Sequence, residues 1–455
     1  MQDEHTTLMS DPLSQYYRCP ERYSRFGVQE ALSNGSGYFR FGQDAICYGS
    51  YSGRHVSSSP AGSLHDALLD TTIEGGKAYL PFDWTQVVDS LRYEEYVEDS
   101  WHEDSALRAA VAKTYYFVRP IMPVGVRKHL QRIRLNGWHH LKFPRWPVDR
   151  TIDNIFEQLL LLSLRSQDLD RIPFIWFWPE GASSCAIMTH DIETTSGRDF
   201  CTSLMDLNDS FGIKASFQVV PERRYGVTAS FLESIRARGF EINVQDLNHD
   251  GHLFRNHQEF MIRAAKINAY AQQYGAVGFR AAVLYRRQRW FDALNFAYDM
   301  SVPNVAHLDP QRGGCCTVMP YFNGKILEMP VTTTQDYSLF HILNDYSVDL
   351  WKQQINLIME KHGLMNFIIH PDYIIGARER RTYETLLAFL TQLRAEKKVW
   401  IPIPREVNDW WRQRMEMTLV EEGGSYRIEG QGSERARIAY ASENDGHLVI
   451  TLQPN

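Results

Sequence analysis

Long apolar runs are missing from this 455-residue sequence: the longest, FEQLLLLSL and IPFIWFWP, fall well short of the ~20 residues that cross a bilayer. A membrane-spanning helix is therefore not expected. Cysteine is scarce. Six in so long a chain (Cys19, Cys47, Cys185, Cys201, Cys315, Cys316) make no disulfide framework, and the adjacent Cys315 and Cys316 lack zinc-ligand spacing, so buried reduced thiols are expected. Positive charge is not in excess either. A net charge of -7 offers no sequence-independent attraction to a polyphosphate, which argues against nucleic acid as a partner. The amino terminus, MQDEHTTLMSDPLSQYY, carries acids where a secretory signal needs a basic region and has no continuous apolar core, so a cytoplasmic protein is expected. No internal repeat or low-complexity tract is visible.

What is present is the composition of a globular protein, 44% hydrophobic, 13% aromatic and 23% charged, long enough for two or three domains. Residues 1–148 read as an extension of mixed α/β structure, with Gly- and Ser-rich stretches, helices near Trp84 to Tyr96 and Ala106 to Tyr116, and no catalytic motif. Pro144 and Pro147 in KFPRWPVD mark its boundary. Between Arg119 and Arg150 there are eight Lys or Arg and one acid, Asp149, interleaved with Trp138 and Trp146. That stretch is either a solvated helix face or a contact for an anionic surface, a sugar nucleotide or a lipid-linked diphosphate at a membrane periphery. From residue 411 to 455 the pattern alternates around GG, GQG and NDG turns and reads as a small β appendage.

Residues 149–410 behave differently. CAIMTHDIE, KASFQVV, FEINVQ, GFRAA, KILEMPVTTT, MNFIIHP and VWIPI read as strands separated by amphipathic helical stretches, one helix ending at Gly212 and the next opening at Thr228 and closing at Gly239. This alternation predicts an α/β fold with parallel strands, as a barrel or a doubly wound sheet. In a barrel the carboxyl-terminal strand ends form the active-site face. Four strand ends here carry ionisable groups: THDIE, NVQDLNHD, GFR and IIHPD.

In THDIET the period of two puts Asp191 and Glu193 on one face and His190 and Ile192 on the other. Two carboxylates on one face can divide the work, one holding a divalent cation and the other acting as a base toward water. Gln245 and His249 are four residues apart, the spacing of an H-x-x-x-H metal pair, with His252 as a conceivable substitute in the same loop. Arg280 can pair with a buried carboxylate and set its ionisation, or be a structural ion-pair partner. His370 suits a general acid, since the reference pKa of a histidine is about 6.5. Asp372, two residues on, is a candidate to orient it.

The ordered set THDIE, QDLNHD, GFR and IIHPD resembles the polysaccharide deacetylase family, the NodB-like carbohydrate esterases of family 4, over roughly residues 180–405. The resemblance implies a distorted (β/α) barrel of the NodB homology type that removes acetyl groups from N-acetylated sugars, sugar nucleotides or lipid-linked glycan precursors. It further implies a divalent metal, zinc or alternatively Mn²⁺, Co²⁺ or Mg²⁺. By the same resemblance Asp191 matches the catalytic base, Glu193 the metal carboxylate, His249 a metal histidine, Arg280 the base-orienting arginine and His370 the catalytic acid. Two positions depart from the pattern: the first metal histidine is Gln245, and the proline expected after the arginine is Ala282. An amide oxygen is a poor zinc ligand beside imidazole. That leaves a carbohydrate-binding pseudo-deacetylase, or a metal-independent relative in which Gln245 meets the substrate, as rival expectations.

Overall fold

The computed structural model describes residues 11–29, 31–53, 56–97, 142–306 and 308–453. The expected helix at Ala106 to Tyr116 and most of the basic stretch 119–150 lie outside the described residues. Two compact units form, one from residues 91–150 and 182–409, the other from residues 1–90, 151–181 and 410–455.

The first unit is built on an eight-stranded sheet whose strands are β1 Cys185–Ile192, β2 Ser216–Val219, β3 Glu241–Gln245, β4 Gly278–Arg280, β5 Tyr298–Asp299, β6 Tyr321–Asn323, β7 Ile326–Glu328 and β8 Leu364–Ile369. Their order is β6-β7-β5-β4-β3-β2-β1-β8. Every pairing is parallel except β6 with β7, which is a hairpin. The sheet curls into a half-barrel, the distorted (β/α) barrel that the resemblance implies and one of the two forms the alternating sequence left open. All eight residues of β1 are buried, because helices cover the sheet and leave no polar-out alternation.

The helices that follow the strands are α1 Thr195–Ser210, α2 Ala229–Arg236, α3 His257–Tyr274, α4 Asp349–Met359 and α5 Ala377–Lys397. Capping places their starts. Thr194 Oγ1 accepts from Gly197 N at 3.0 Å, and Thr228 Oγ1 accepts from Phe231 N at 3.2 Å, so each helix begins directly beyond a strand-end loop. The chain reverses after α1 and α2 at Gly212 and Gly239, with φ of 60° and 75°. The core lies between these helices and the sheet, with Phe217, Ile242, Phe279 and Phe367 from the strands against Leu204, Ile235, Phe260, Trp351 and Leu386.

In the second unit, Ile172–Ile175 pairs antiparallel with Ile438–Asn444, which pairs with His447–Leu452. These units follow different lines from the segments 1–148, 149–410 and 411–455 expected from composition. The IPFIWFWP run supplies the reason. Phe174, Trp176 and Phe177 are too large and apolar to remain at an edge: Phe174 and Phe177 pack with Tyr16 and Tyr17 from the first ninety residues, and Trp176 packs on Phe177. Arg414, fully buried, donates to the carbonyls of Tyr16, Ile175 and Trp176. The carboxyl-terminal strands are thereby one sheet with residues 172–175. The NDG turn does form as the sequence suggests, with φ of 50° at Asp445 and 81° at Gly446. All six cysteines are free and buried. Among the described residues no helix is long and apolar enough to cross a membrane.

Candidate active site

The register of the sheet decides which side chains meet. Asp191 is the penultimate residue of β1 and Glu193 follows its end; Gln245 closes β3, Arg280 closes β4, and His370 follows β8. Gln245 and Arg280 are direct register partners, and β8 lies beside β1 with Ile369 opposite His190. These five residues, and His249 in the loop four residues beyond Gln245, thus lie at the carboxyl-terminal edge of one parallel sheet, the edge on which barrel enzymes build their sites.

His190 points away from them, as the period of two requires. Its Nε2 accepts from Asn208 Nδ2 at 2.7 Å and its Nδ1 donates to Ile369 O at 3.3 Å. Burial pulls its pKa down to about 3, so it is a neutral structural imidazole.

Arg280 is fully buried beneath Asp191. Its Nη2 donates to Thr189 Oγ1 at 3.0 Å, and its Nη1 lies 3.6 Å from Asp191 Oδ1, an ion-pair distance beyond direct hydrogen bonding. Burial pushes Asp191 above the usual carboxylate range, Arg280 and His370 pull it down, and the net direction is upward. Its Oδ1 has no hydrogen-bond partner. A desolvated carboxylate with a raised pKa is a stronger base than one in water, which suits a group that takes a proton from water. Directly after Arg280, Val283 and Leu284 hold φ of 59° and 53°. For a β-branched valine this is a strained backbone of the kind concentrated at functional sites.

Glu193 is the hub. Its Oε1 lies 2.7 Å from His249 Nε2, 3.5 Å from His370 Nε2 and 3.4 Å from Gln245 Nε2. Burial alone would raise its pKa, but His249 and His370 outweigh that and hold it well below the carboxylate range.

His370 has a partner that the sequence analysis assigned wrongly. Asp336 accepts from His370 Nδ1 at 2.6 Å with one oxygen and from the His370 backbone N at 2.7 Å with the other. Asp336 is fully buried. Asp372 does not orient the ring: it lies in the turn Pro371–Ile374 beside Gly197, and its Oδ1 has no partner. Burial disfavours the His370 imidazolium, Asp336 and Glu193 favour it, and the net pKa is well above the histidine value. With Nδ1 donating to Asp336, the ring presents Nε2 to the cluster, as a proton donor or as a lone pair. The same strand-end logic extended along KILEMPVTTTQD to its terminal acid would have found Asp336.

The DLNHDG loop is held by its own side chains. Asp246 caps Leu247 N at 2.6 Å and Asp250 caps His252 N at 2.9 Å, while His249 takes φ of 55° to turn its ring inward. His252 points outward, with a side chain 55% exposed and 3.8 Å from Asp250, so it is no substitute ligand. For His249, burial lowers the pKa, Glu193 raises it and the net is upward. Its Nδ1 faces Arg224 Nη2 at 2.9 Å. Arg224, in the loop after β2, is the other site residue that sequence reasoning missed.

One ligand-type atom each from Asp191, Glu193 and His370 lie within 4.8 Å of one another, close enough to hold a cation. Used as ligands there, Asp191 and His370 would no longer be free as base and acid. The set implied by the resemblance, Glu193, Gln245 and His249, does not fit a metal. Gln245 turns its Nε2 toward Asp191 Oδ2 at 3.1 Å and Glu193 Oε1, and leaves its Oε1 unpartnered. Two carboxylates require the amide nitrogen on that side, so Gln245 presents hydrogens where a ligand would present a lone pair.

A curled, helix-flanked parallel sheet with ionisable side chains gathered at its carboxyl edge defines an α/β half-barrel. Solved structures similar to this chain include polysaccharide deacetylases and other carbohydrate esterase family 4 members. A protein from Mycobacterium smegmatis that carries a provisional polysaccharide-deacetylase name is 16% identical, with 55% of this chain and 96% of that one covered and a TM-score of 0.43. PuuE allantoinase is 13% identical over 52% of this chain and 92% of its own, with a TM-score of 0.39. A mutant of a family 4 pseudoenzyme with restored enzymatic activity is 13% identical over 50% of this chain and 69% of its own, with a TM-score of 0.32. No protein-family model matches the chain, and no curated protein is similar to it in sequence. At these identities the likeness concerns the fold alone.

Proposed function

We propose that the chain is an amide hydrolase that removes the acetyl group of an N-acetylated sugar, sugar nucleotide or lipid-linked glycan precursor in the cytoplasm. The observation that carries this reading is the convergence of Asp191, Glu193 and His370 within 4.8 Å, with His370 backed by the buried Asp336. Asp191, raised by burial, takes the proton of a water. His370, held protonated by Asp336, delivers a proton to the departing amine nitrogen. Arg280 keeps the Asp191 carboxyl anchored from below.

An aromatic shelf supports a sugar as the substrate class. The Tyr373 ring packs 4.8 Å from His370, with His341 at 4.9 Å and Tyr337 at 5.7 Å from Tyr373. Rings so placed offer an apolar face to a sugar beside the proton donor. Acetate release from a panel of N-acetylhexosamine conjugates, abolished in His370→Ala, is the expected result. No release from any of them overturns the proposal.

A second reading, a sugar-binding protein without turnover, is favoured by Gln245 at a metal-histidine position. It predicts calorimetric binding of the same conjugates with no acetate formed.

A further inference from the structure

Arg224 contacts His249 twice through the same nitrogen: Nη2 lies 2.9 Å from His249 Nδ1 and 3.0 Å from the His249 carbonyl oxygen. A guanidinium has five N–H donors and no lone pair. The first contact is therefore a hydrogen bond only when Nδ1 offers its own lone pair, which places the imidazole hydrogen on Nε2. That nitrogen faces Glu193 Oε1 at 2.7 Å. A metal-ligating histidine has the opposite polarity. Its outer nitrogen donates to a carboxylate or carbonyl, so that the inner nitrogen keeps a lone pair for the cation. His370, with Nδ1 donating to Asp336, shows that ordinary polarity a few ångströms away. His249 shows it reversed.

We infer that Arg224 is a positioning residue that fixes His249 as an Nε2–H donor. Together with the Gln245 amide, it equips the pocket to hold a substrate's carbonyl or anionic oxygen by hydrogen bonds where a cation would otherwise act. Gln245 Nε2 now donates to Asp191 and Glu193, while His249 Nε2 lies 2.7 Å from Glu193 Oε1 without the alignment of a hydrogen bond, which leaves its hydrogen available. A bound amide carbonyl would take over these hydrogens as negative charge develops on it. The tautomer and its consequence for cations are independent of turnover; the role toward a carbonyl rests on the amide-hydrolase reading above.

Arg224 is an exposed residue of the loop after β2, and that loop is tied to the His249 loop through Glu222 N donating to Leu247 O at 2.9 Å. Substitution at its exposed side chain leaves this tie in place. The test is calorimetry with Zn²⁺ alone and Co²⁺ alone on the full chain and on the Arg224→Lys and Arg224→Glu variants. Unaltered protein and Arg224→Lys, both with a donor-only partner, are expected to bind no stoichiometric cation at micromolar concentration. Arg224→Glu accepts a hydrogen from Nδ1 and frees the Nε2 lone pair, so its affinity should rise by about 10–100-fold, the usual span for a ligand's outer partner. At a pH above the His249 titration, ¹⁵N NMR of the unaltered protein, assigned with His249→Asn, should show Nε2 protonated and Nδ1 bare. Tight binding of one cation per chain that Arg224→Glu leaves unchanged, or a protonated Nδ1 beside a bare Nε2, overturns the inference. If Arg224→Glu does not fold, the NMR tautomer decides. Failure to find a hydrolysed amide would remove the proposed activity while the tautomer and cation results stood.

Discussion

Replacing Asp336 by Asn isolates what a buried carboxylate does for His370. The two contacts, 2.6 Å to the ring and 2.7 Å to the backbone nitrogen, use both oxygens of a fully buried side chain. Asparagine has one oxygen. If it serves the backbone N–H, its amide hydrogens face Nδ1; if it serves the ring, they face the backbone N–H. Either way one charge-assisted hydrogen bond is lost, about 1.5–3 kcal/mol. At about 1.36 kcal/mol per pKa unit, the His370 midpoint should fall by about one to two units. The assay is an NMR titration of the His370 C2–H resonance, which needs no substrate, followed by the pH profile of acetate release. The alkaline limb of that profile should move to lower pH, because the proton donor is lost sooner. Stability changes in the same sense. A histidine raised in the folded state contributes stability that is fully present below its unfolded value and lost as pH rises through its folded one. The variant should therefore lose most stability at low pH and show a flatter dependence above it. A His370 midpoint within about half a unit of the unaltered value, against that expected fall, would refute the coupling.

Three further expectations concern the frame. Arg280→Met leaves Asp191 buried without its cation, and chemical denaturation should show a loss of about 3–5 kcal/mol, the cost of orphaning one member of a buried pair; a loss under about 1 kcal/mol would mean that the 3.6 Å pair is idle. Arg414→Ala uncovers three buried carbonyls, and with an orphaned buried acceptor costing about 1–3 kcal/mol, urea unfolding should show a loss of several times that of a surface variant. Thr194→Ala removes the cap of α1 immediately after Glu193 and should cost about 1 kcal/mol by the same measurement, with Thr194→Ser nearly neutral.

The curled parallel sheet was legible because its strands are buried runs ending in polar residues at Asp191, Gln245, Arg280 and His370, a pattern that period and burial impose directly on sequence. The partnership of His370 was not, because local spacing favoured Asp372 while the fold brings in Asp336 from 34 residues away. Arg224 was equally silent in the sequence, since PERRYG looks like a solvated turn, and its ties to His249, Leu247 and Ile192 are made only by the fold. The segments expected from composition missed the pairing of Ile172–Ile175 with Ile438–Asn444 for the same reason. Long-range antiparallel pairing leaves no local trace beyond the apolar character of the strand itself.

The charges of the site explain why Gln245 is more than a missing ligand. Asp191, Glu193 and Asp336 bring three carboxylates into a pocket where Asp191 and Asp336 are nearly out of water and Glu193 is mostly so. Unbalanced, they would cost many kcal/mol to bury, and a divalent cation is one way to offset them. Here the offsets are distributed: Arg280 beneath Asp191, the His370 proton between Asp336 and Glu193, the amide hydrogens of Gln245 on Asp191 and Glu193, and the His249 imidazole 2.7 Å from Glu193. Each is a donor, and Arg224 is a further donor that enforces the last. A histidine placed at 245 would therefore not by itself create a metal site, because the second imidazole still presents a hydrogen where the cation needs a lone pair. Two changes, at 245 and at 224, are coupled through Glu193 and His249, and their effects on cation affinity should exceed the sum of the single ones.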